Sequence, residues 1–402
     1  MKKRSVRDIA VAGRRVLVRV DFNVPLEAGA VADDTRIRET LPTLKYLLGQ
    51  GAKVILCSHL GRPKGKRNPE FSLRPVAEHL RMLLDRDLGF GVQVGFCPET
   101  VGLQAQEMAE HLEPGTVLLL ENLRFQPQEE ANDPDFARQL ASLAEVYVND
   151  AFGSAHRAHA STVGVTQFLQ PAVAGFLMEK ELRYLGQALG NPGHPFILIL
   201  GGAKIADKIP VIENLAHHAD VILIGGGMAY TFLAAQGQPV GDSLCEPDRF
   251  DAARRLLARA DEGRYRLLLP ADHVVAAKLE PHVATRVVGE IPAGMKAFDI
   301  GPRTRAQYAE EIAQAKTIVW NGPMGVFETP PFELGTLAVA QAVAGAQATS
   351  IVGGGDSVAA IEAAGVVDRI THVSTGGGAS LEFLGGEKLP GVEALANAGA
   401  AA

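Results

Sequence analysis

The chain has 402 residues, of which 47% are apolar and 21% are charged, and its formal net charge is −7. This length suffices for two domains with separate cores, and the acidic balance argues against a general nucleic-acid binder. The three cysteines, Cys57, Cys97 and Cys245, are scattered and odd in number. We therefore expect no disulfide framework, no clustered cysteine metal site and a reducing compartment.

In the first half of the chain, short apolar runs alternate with helical patterns, which is typical of a parallel α/β sheet. Each run ends in a turn that carries polar or cationic side chains. The predicted strands are residues 16–20, 54–57, 117–120 and 146–148. The predicted helices are residues 38–50, 73–84, 101–110 and 136–144.

From residue 196 onward the same alternation continues, but the turns after the strands are rich in glycine. The predicted strands include residues 197–200, 221–224 and 351–352. Helices are predicted over residues 204–215, 228–235, 248–261, 303–313, 334–344 and 358–364. Two long uncharged windows, 221–241 and 334–355, contain too much glycine, alanine and polar residue for membrane spans. We therefore expect a soluble, cytoplasmic protein.

A long helical pattern over residues 176–189 runs into Gly190-Asn191-Pro192-Gly193, which ends a helix. We place the domain junction along this helix. The predicted fold class is α/β, with two Rossmann-like domains joined by a hinge helix and a cleft between them. Each domain is a parallel β-sheet flanked by helices. The expected divisions are residues 1–174, the helix 175–189, residues 190–384, and a tail 385–402 that returns to the first domain.

Cationic side chains recur at the predicted carboxyl ends of the first-half strands, where open parallel sheets bind their ligands. The loops after the strands carry Arg62, Arg124 and Arg157, together with Asp21, Asn23 and His59. Arg36 follows Asp33-Asp34-Thr35 at the start of a helix. Any one loop arginine is more often a solvated surface charge. Repetition at one topological position favours a multidentate clamp for a small anion.

The glycine turns of the second half suggest phosphate binding, since glycine lets the backbone approach a ligand at a helix N-terminus. Gly201-Gly202-Ala203 leads to Lys204 and Lys208, whose spacing predicts two ammonium groups on one helix face. Asp356 follows three glycines and could hold Mg²⁺ together with phosphate oxygens, and Glu328 could accept hydrogen bonds from ribose hydroxyls. Tight turns, helix caps and solvated lysines are the alternative interpretation.

Two common nucleotide motifs are absent from the sequence, namely G-x-x-x-x-G-K-[ST] and a G-x-G-x-x-G that opens a helix after a strand. A bound nucleotide would therefore require neither a Walker loop nor a dinucleotide fingerprint.

Several longer motifs resemble those of the phosphoglycerate kinase family. They are VRVDFNVPL at 18–26, SHLGRPKG at 58–65, ENLRF at 121–125, VNDAFGSAHRAHAS at 148–161, GGAK at 201–204, WNGP at 320–323 and GGGD at 353–356. The resemblance extends over about residues 16 to 391. It implies a monomeric, hinge-bending enzyme of glycolysis that moves a phosphoryl group between 1,3-bisphosphoglycerate and ADP, giving 3-phosphoglycerate and ATP with Mg²⁺.

The resemblance also implies roles for individual residues. Substrate binding would fall to Asp21, Phe22, Asn23, Arg36, His59, Leu60, Gly61, Arg62, Arg124 and Arg157. Catalysis would fall to Arg36, Lys204, Lys208, Gly354 and Gly377. The nucleotide would contact Gly202, Ala203, Lys204, Lys208, Gly226, Asn321, Pro323, Gly325, Glu328, Gly353, Gly354, Gly355, Asp356, Ser357 and Thr375. Asp356 would hold the metal.

Two other classes of protein remain open from the residues alone. A non-catalytic sensor of a phosphorylated metabolite would explain the arginines, but it would leave the glycine turns and Asp356 without a role. A dehydrogenase would explain a nucleotide-sized site, but the missing dinucleotide fingerprint argues against it. Formation of ATP from an acyl phosphate would separate these possibilities.

Overall fold

The computed structural model of the protein describes residues 2–88 and 91–399. The chain divides into two compact units. Unit 1 is Met1–Arg183 with Lys388–Ala402, and unit 2 is Tyr184–Glu387. In the part of the chain that the structure describes, no helix has both the length and the hydrophobicity to cross a membrane.

Unit 1 is built on a parallel sheet with the strand order β5-β6-β4-β1-β7-β8. Its strands, with a small β2–β3 hairpin, are β1 (Arg15–Arg19), β2 (Leu26–Glu27), β3 (Ala30–Val31), β4 (Lys53–Cys57), β5 (Val94–Cys97), β6 (Val117–Leu120), β7 (Val146–Asn149) and β8 (Ala172–Ala174). The four strands predicted here are confirmed. Continuous apolar runs form them because the sheet is covered on both faces.

The register of unit 1 brings the ends of its central strands together. Arg19 at the end of β1 lies opposite Cys57 of β4 on one side and Asn149 of β7 on the other. The loops that follow these strands therefore start at one edge of the sheet. The helices around it are α1 (Thr35–Gly49), α2 (Arg74–Leu88), α3 (Leu103–Glu110), α4 (Pro127–Glu130) and α5 (Pro134–Ala141). A further helix, α6 (Phe176–Gly190), begins in unit 1 and belongs to unit 2 from Tyr184 onward.

Unit 2 has a second parallel sheet, with the order β11-β10-β9-β15-β16-β17, and a three-stranded antiparallel sheet, β13-β12-β14. The strands are β9 (Phe196–Leu200), β10 (Val221–Ile224), β11 (Arg266–Leu268), β12 (His273–Ala276), β13 (Arg286–Val288), β14 (Lys296–Ile300), β15 (Thr317–Asn321), β16 (Thr349–Gly353) and β17 (His372–Ser374). The chain order reverses between β9 and β15, which is where open α/β sheets bind ligands.

The helices of unit 2 are α7 (Ile209–Leu215), α8 (Met228–Ala235), α9 (Phe250–Asp261), α10 (Pro302–Gln314), α11 (Leu334–Gly345), α12 (Gly355–Ala363) and α13 (Gly378–Leu384). A last helix, α14 (Pro390–Glu393), belongs to unit 1. There the Gly391 N–H donates to Ala155 O at 2.8 Å, and Lys3 Nζ donates to Leu395 O at 3.0 Å.

The helix predicted over residues 204–215 is wrong at its start, because α7 begins only at Ile209. Pro210 lies in the first turn of α7. Backbone N–H groups in the first turn form no hydrogen bond within the helix, so the absence of an N–H in proline costs nothing there. In a helix that began at residue 204, the same proline would lie in the interior and clash with the preceding turn. Lys204 and Lys208 therefore lie in the turn before α7 and do not share a helix face.

Candidate active site

The loop after β1 carries a buried carboxylate paired with a cation from the start of α1. Arg36 Nη1 lies 2.9 Å from Asp21 Oδ2. Burial alone would raise the pKa of Asp21, but the nearby cations, Arg36 first among them, hold it below its ordinary value. The Arg36 side chain remains about one-third exposed, so part of this guanidinium is available to a ligand.

The loop after β4 is held against that of β1 by backbone and amide contacts. The Gly61 N–H donates to Asn23 Oδ1 at 2.8 Å, and the Phe22 N–H donates to Ser58 Oγ at 2.9 Å. Gly61 has φ +61°, and a Cβ there would lie 2.3 Å from the ring of Phe71. Any other residue would displace the turn that carries the buried His59 and Leu60.

The remaining predicted cations of unit 1 differ in how firmly they are held. Arg124 is buried, donates from Nη1 to Gly61 O at 2.8 Å and forms an ion pair with Glu130 at 3.1 Å. Arg157 is partly buried and donates from Nε to His156 Nε2 at 3.1 Å. Arg62 has an exposed side chain that makes no hydrogen bond or ion pair within the described ranges.

Sequence reasoning missed a buried layer beneath these loops. Arg19, Glu129 and Ser161 are all buried and hydrogen-bonded in series under His59. The signal for Arg19 was an arginine within the otherwise apolar run of residues 16–20, since a buried cation requires a partner. No comparable signal marks Glu129, whose partners lie far away in the sequence.

Unit 2 contains two pockets that share part of their walls. The first, of about 480 Å³, is lined by residues that include Gly202, Ala203, Gly226, Tyr230, Leu244, Pro323, Gly325, Val326, Glu328 and Asp356. The second, of about 460 Å³, is lined by residues that include Gly202, Ala203, Lys204, Lys208, Asn321, Gly354, Gly355, Asp356, Ser357, Gly377 and Gly378. These volumes lie in the usual range for small-molecule sites. The first pocket suits a nucleoside and the second suits its phosphates.

Glycines between the pockets allow three backbone segments to pack against one another. The Gly202 N–H donates to Pro323 O at 2.8 Å, and the Gly226 N–H donates to Met324 O at 2.9 Å. A Cβ on Gly201 would lie 2.1 Å from Pro323 O, and one on Gly226 would lie 2.5 Å from Gly202 N. The pocket therefore depends on residues without side chains at these points.

Lys208 and Asn321 connect the turn before α7 with the end of β16. Lys208 Nζ donates to Asn321 Oδ1, and Asn321 Nδ2 donates to Gly353 O at 2.8 Å. Burial lowers the pKa of Lys208, while the charges of Asp207 and Asp356 oppose that shift. Lys204, in contrast, is exposed in the second pocket. The two predicted lysines thus occupy different environments at one pocket.

The first turns of α12 and α13 border the second pocket through Gly354, Gly355, Gly377 and Gly378. Thr375 lies between β17 and α13. The Ser357 hydroxyl accepts a hydrogen bond from the Gly322 N–H at 2.6 Å and is fully buried. Helix N-termini with free N–H groups are suited to phosphate oxygens.

Asp207 and Asp356 are both exposed carboxylates of this pocket, and Asp356 is the one in the first turn of α12. Residues 2–88 and 91–399 contain no group of three or more His, Cys, Asp or Glu that could hold a metal ion. One carboxylate beside a phosphate pocket does, however, fit Mg²⁺, which is commonly held by one or two carboxylates and substrate phosphates. The donor set fits a metal that arrives with the nucleotide.

The arginine-lined sheet edge of unit 1 and the paired pockets of unit 2 define a class of protein, the small-molecule phosphotransferases. Comparison with known proteins agrees. The family model for phosphoglycerate kinase matches residues 6–387. The chain belongs to the phosphoglycerate kinase family, and its enzyme class is that of a kinase.

Relatives and solved structures cover almost the whole chain. The chain is 62% identical to a phosphoglycerate kinase from Koribacter versatilis over 99% of this chain and 100% of the relative. It is 61% identical to a phosphoglycerate kinase from Acidobacterium capsulatum, over 98% of this chain and 99% of the relative. The structure of phosphoglycerate kinase from Coxiella burnetii has a TM-score of 0.87 and 42% identity, with 98% of each chain covered. The structure from Pyrococcus horikoshii OT3 has a TM-score of 0.83 and 34% identity, also with 98% of each covered.

Proposed function

We propose that the protein catalyses the reversible transfer of a phosphoryl group between 1,3-bisphosphoglycerate and ADP, giving 3-phosphoglycerate and ATP. The observation that carries this proposal is the pairing of two kinds of anion site in one chain. Unit 1 offers a sheet edge that carries several arginines around the Asp21–Arg36 pair. Unit 2 offers a nucleoside-sized pocket that continues into a phosphate-sized one.

In unit 1, the phosphorylated acid would bind through Asp21, Asn23, Arg36, His59, Arg62, Arg124 and Arg157, with Phe22, Leu60 and Gly61 shaping the loop. Guanidinium groups grip carboxylate and phosphate oxygens in bidentate fashion. Arg36 keeps part of its guanidinium free for the phosphoryl group in transit, because Asp21 engages only one of its edges. Its charge would stabilise the dispersed negative charge of the transition state.

In unit 2, the nucleoside would lie against Gly202, Ala203, Gly226, Pro323, Gly325 and Glu328, and its phosphates against Lys204, Lys208, Asn321, Gly353, Gly354, Gly355, Ser357, Thr375 and Gly377. Lys208 and the α12 N-terminus would neutralise the transferring group. Neither acceptor in this reaction, a carboxylate or a terminal phosphate oxygen, has to lose a proton. Alignment and charge stabilisation therefore suffice without a catalytic base.

We propose Asp356 as the protein ligand of a Mg²⁺ ion that accompanies ADP or ATP. When bound, such an ion supplies charge neutralisation of the phosphate oxygens. The proposal includes a monomeric enzyme of the cytoplasm, for which family membership is the support. Sedimentation analysis at several protein concentrations would test the monomer.

Arg36 provides the sharpest test of the mechanism. In an assay that couples ATP formation to the acyl phosphate, we expect Arg36→Ala to lower kcat by about 100-fold or more, because one aligned cation is removed from the transition state. The affinity for ADP should stay nearly unchanged, since ADP binds in unit 2.

Arg38→Ala is the matched control, because Arg38 lies on the same helix and pairs with Asp34 at the surface. Removal of an exposed ion pair should change kcat by less than about twofold. Wild-type kcat in Arg36→Ala would exclude Arg36 from the transition state. Binding of 3-phosphoglycerate by the wild-type protein without any ATP formation would favour a sensor instead of an enzyme.

A further inference from the structure

Arg19 is a buried arginine that the mechanism above does not use. Its side chain lies within the sheet and is only 1% exposed. Each part of the guanidinium has a partner: Nε donates to Ser161 Oγ at 2.9 Å, and Nη1 donates to Val20 O. Nη2 lies 3.2 Å from His59 Nδ1. The contact with His59 connects this buried cation to the proposed substrate edge.

The contact between Arg19 and His59 has only one possible direction. A guanidinium carries hydrogen-bond donors and no acceptor, and it stays protonated in proteins. The His59 Nδ1 atom must therefore accept, which means that it carries no proton. A neutral imidazole has one protonated nitrogen, so the proton is on Nε2. No hydrogen-bond partner of His59 Nε2 occurs among the described residues.

On its other side, Arg19 is held by a directed series of hydrogen bonds. Glu129 is fully buried and accepts from the Ser161 backbone N–H at 2.9 Å and from the Ser161 hydroxyl at 2.6 Å. The Ser161 hydroxyl therefore donates its proton to Glu129 and accepts a hydrogen bond from Arg19 Nε. Burial raises the pKa of Glu129, and the charge of Arg19 opposes that shift. The carboxyl group thus compensates the buried cation, which would otherwise be unfavourable.

The other charges that face His59 agree with a neutral ring. Burial lowers the pKa of His59 well below its ordinary value, and Arg19, Arg124 and Arg36 act in the same direction. Asp21 acts in the opposite direction, but its Oδ1 lies 3.9 Å from Nδ1, which is beyond hydrogen-bond distance. Arg19 is closer to that nitrogen and decides its protonation.

We propose that Arg19 is a positioning residue that acts through His59, by holding the imidazole in its neutral Nε2–H form. The ring then presents a single N–H donor of fixed direction to the oxygen atoms of the phosphorylated acid. The state of the ring follows from contacts within unit 1. Only the identity of its ligand rests on the proposed function.

The test is a nitrogen NMR spectrum of the whole protein labelled at the histidine rings, with His59→Gln used to assign the resonances. We expect Nδ1 of His59 to be unprotonated and Nε2 to be protonated, with no titration between about pH 5 and 8. His111 is the internal reference for the opposite form, because its Nδ1 lies 2.7 Å from Glu107 O and must donate to that carbonyl. A proton on His59 Nδ1, or titration of His59 within that range, would overturn the proposal.

Two sets of variants test the role in binding. His59→Gln keeps a neutral N–H donor and should hold the KM for 3-phosphoglycerate within a few-fold of wild type, whereas His59→Leu should raise it about tenfold through the loss of one hydrogen bond. Arg19→Met combined with Glu129→Gln removes both buried charges together. In that variant we expect Nδ1 of His59 to become partly protonated and the KM for 3-phosphoglycerate to rise, with the KM for ADP unchanged.

The outcomes separate the two proposals. The expected wild-type spectrum together with absent ATP formation would leave the state of His59 standing and reject the proposed reaction. An unchanged Nε2–H form in the Arg19→Met/Glu129→Gln variant would show that Arg19 does not set the tautomer. Equal KM values for His59→Gln and His59→Leu would show that the ring provides no N–H donor to the substrate.

Discussion

Asp299 is a buried acid that lies under the first pocket of unit 2. Its Oδ2 accepts from the Gly335 N–H at 2.7 Å at the start of α11, and its Oδ1 is buried without a hydrogen-bond partner. A Cβ on Gly325 would lie 2.4 Å from Oδ1, so the carboxyl group packs directly below a pocket residue. Burial raises the pKa of Asp299 to about 7, against hydrogen bonds from the backbone and the charge of Arg305.

This raised pKa predicts a pH-dependent loss of stability. Between about pH 4, where the unfolded carboxyl ionises, and about pH 7, the folded protein binds more protons than the unfolded chain. The free energy of unfolding should therefore fall as pH rises, by at most about 1.4 kcal/mol per pH unit from this group. Asp299→Asn removes the ionisation, so its stability relative to wild type should increase across this range.

Urea titrations followed by the fluorescence of Trp320 would measure the effect. Trp320 is the single tryptophan of the sequence and is buried in unit 2, so its signal reports the unit that contains Asp299. Asp261→Asn, which alters an exposed carboxyl group at the end of α9, serves as the control. Parallel pH curves for wild type and Asp299→Asn would refute the raised pKa.

At the level of single residues, the polar residues that follow strands could be predicted from the sequence, whereas the buried polar residues could not. Asp21, His59 and Arg124 follow apolar runs, so their common edge could be predicted from the rule for parallel sheets; their roles in binding stay predictions. Arg19 and Asp299 could not be assigned in this way. Their environments depend on partners such as Ser161 and Gly335, which come near only when the chain is folded.

Among the elements, the segment from Asp242 to Glu246 lines the first pocket of unit 2 and is hydrogen-bonded to the turn that carries the two lysines. Asp242 and Leu244 are among the residues that line this first pocket. Glu246 accepts from the Ile205 N–H at 2.6 Å, within the turn that carries Lys204 and Lys208. Ile205 is fully buried, so the Glu246 carboxylate helps hold the turn that carries Lys204 and Lys208 in place within unit 2.

We predict that Glu246→Ala raises the KM for ADP and lowers kcat, each by about threefold to tenfold. Loss of a hydrogen bond to a charged group costs about 1.5–3 kcal/mol, and we expect part of this energy to reduce the stability of the fold and part to reduce ADP binding and catalysis. Glu246→Gln retains an acceptor and should recover most of the activity. Steady-state kinetics with both substrates would measure this. Asp248→Ala, which alters a nearby exposed acid, should match wild type, and a Glu246→Ala enzyme with unchanged kinetics would contradict a fixed lysine turn.

Strands were easier to predict than helix starts, and both outcomes have physical causes. Runs such as β9 are apolar throughout because each of their residues is buried. The helix predicted over residues 204–215 ends where α7 ends, but its start is wrong because Pro210 confines α7 to the residues from Ile209 onward. No prediction covered β12 to β14, since short strands in an antiparallel sheet give little periodic signal.

At the scale of the whole molecule, each unit has a hydrophobic core of its own. One cluster includes Val16, Leu44 and Val148 in unit 1, and another includes Ile199, Trp320 and Val352 in unit 2. Separate cores allow two units to move as bodies. The proposed phosphoryl transfer requires the two ligands to meet and water to be excluded, which commonly involves closure.

We therefore predict that 3-phosphoglycerate and Mg-ADP together reduce the radius of gyration more than either ligand does alone. Small-angle X-ray scattering would measure this. The pair is suitable because neither 3-phosphoglycerate nor ADP carries the transferable phosphoryl group, so the two ligands do not react with each other during the measurement. Arg36→Ala should bind Mg-ADP but show a smaller change with the pair. Equal radii for the protein with the pair and with each single ligand would count against closure.

Because unit 1 takes its last segment, from Lys388 onward, after about 200 residues of unit 2, the order of synthesis matters for its completion. At about 5–20 residues per second, a ribosome needs roughly 10–40 s to make that intervening length. Throughout this interval the nascent first unit lacks the partner that Lys3 and Ala155 contact in the finished protein. The surface of unit 1 that this last segment later covers would be accessible to chaperones until the segment has been synthesised.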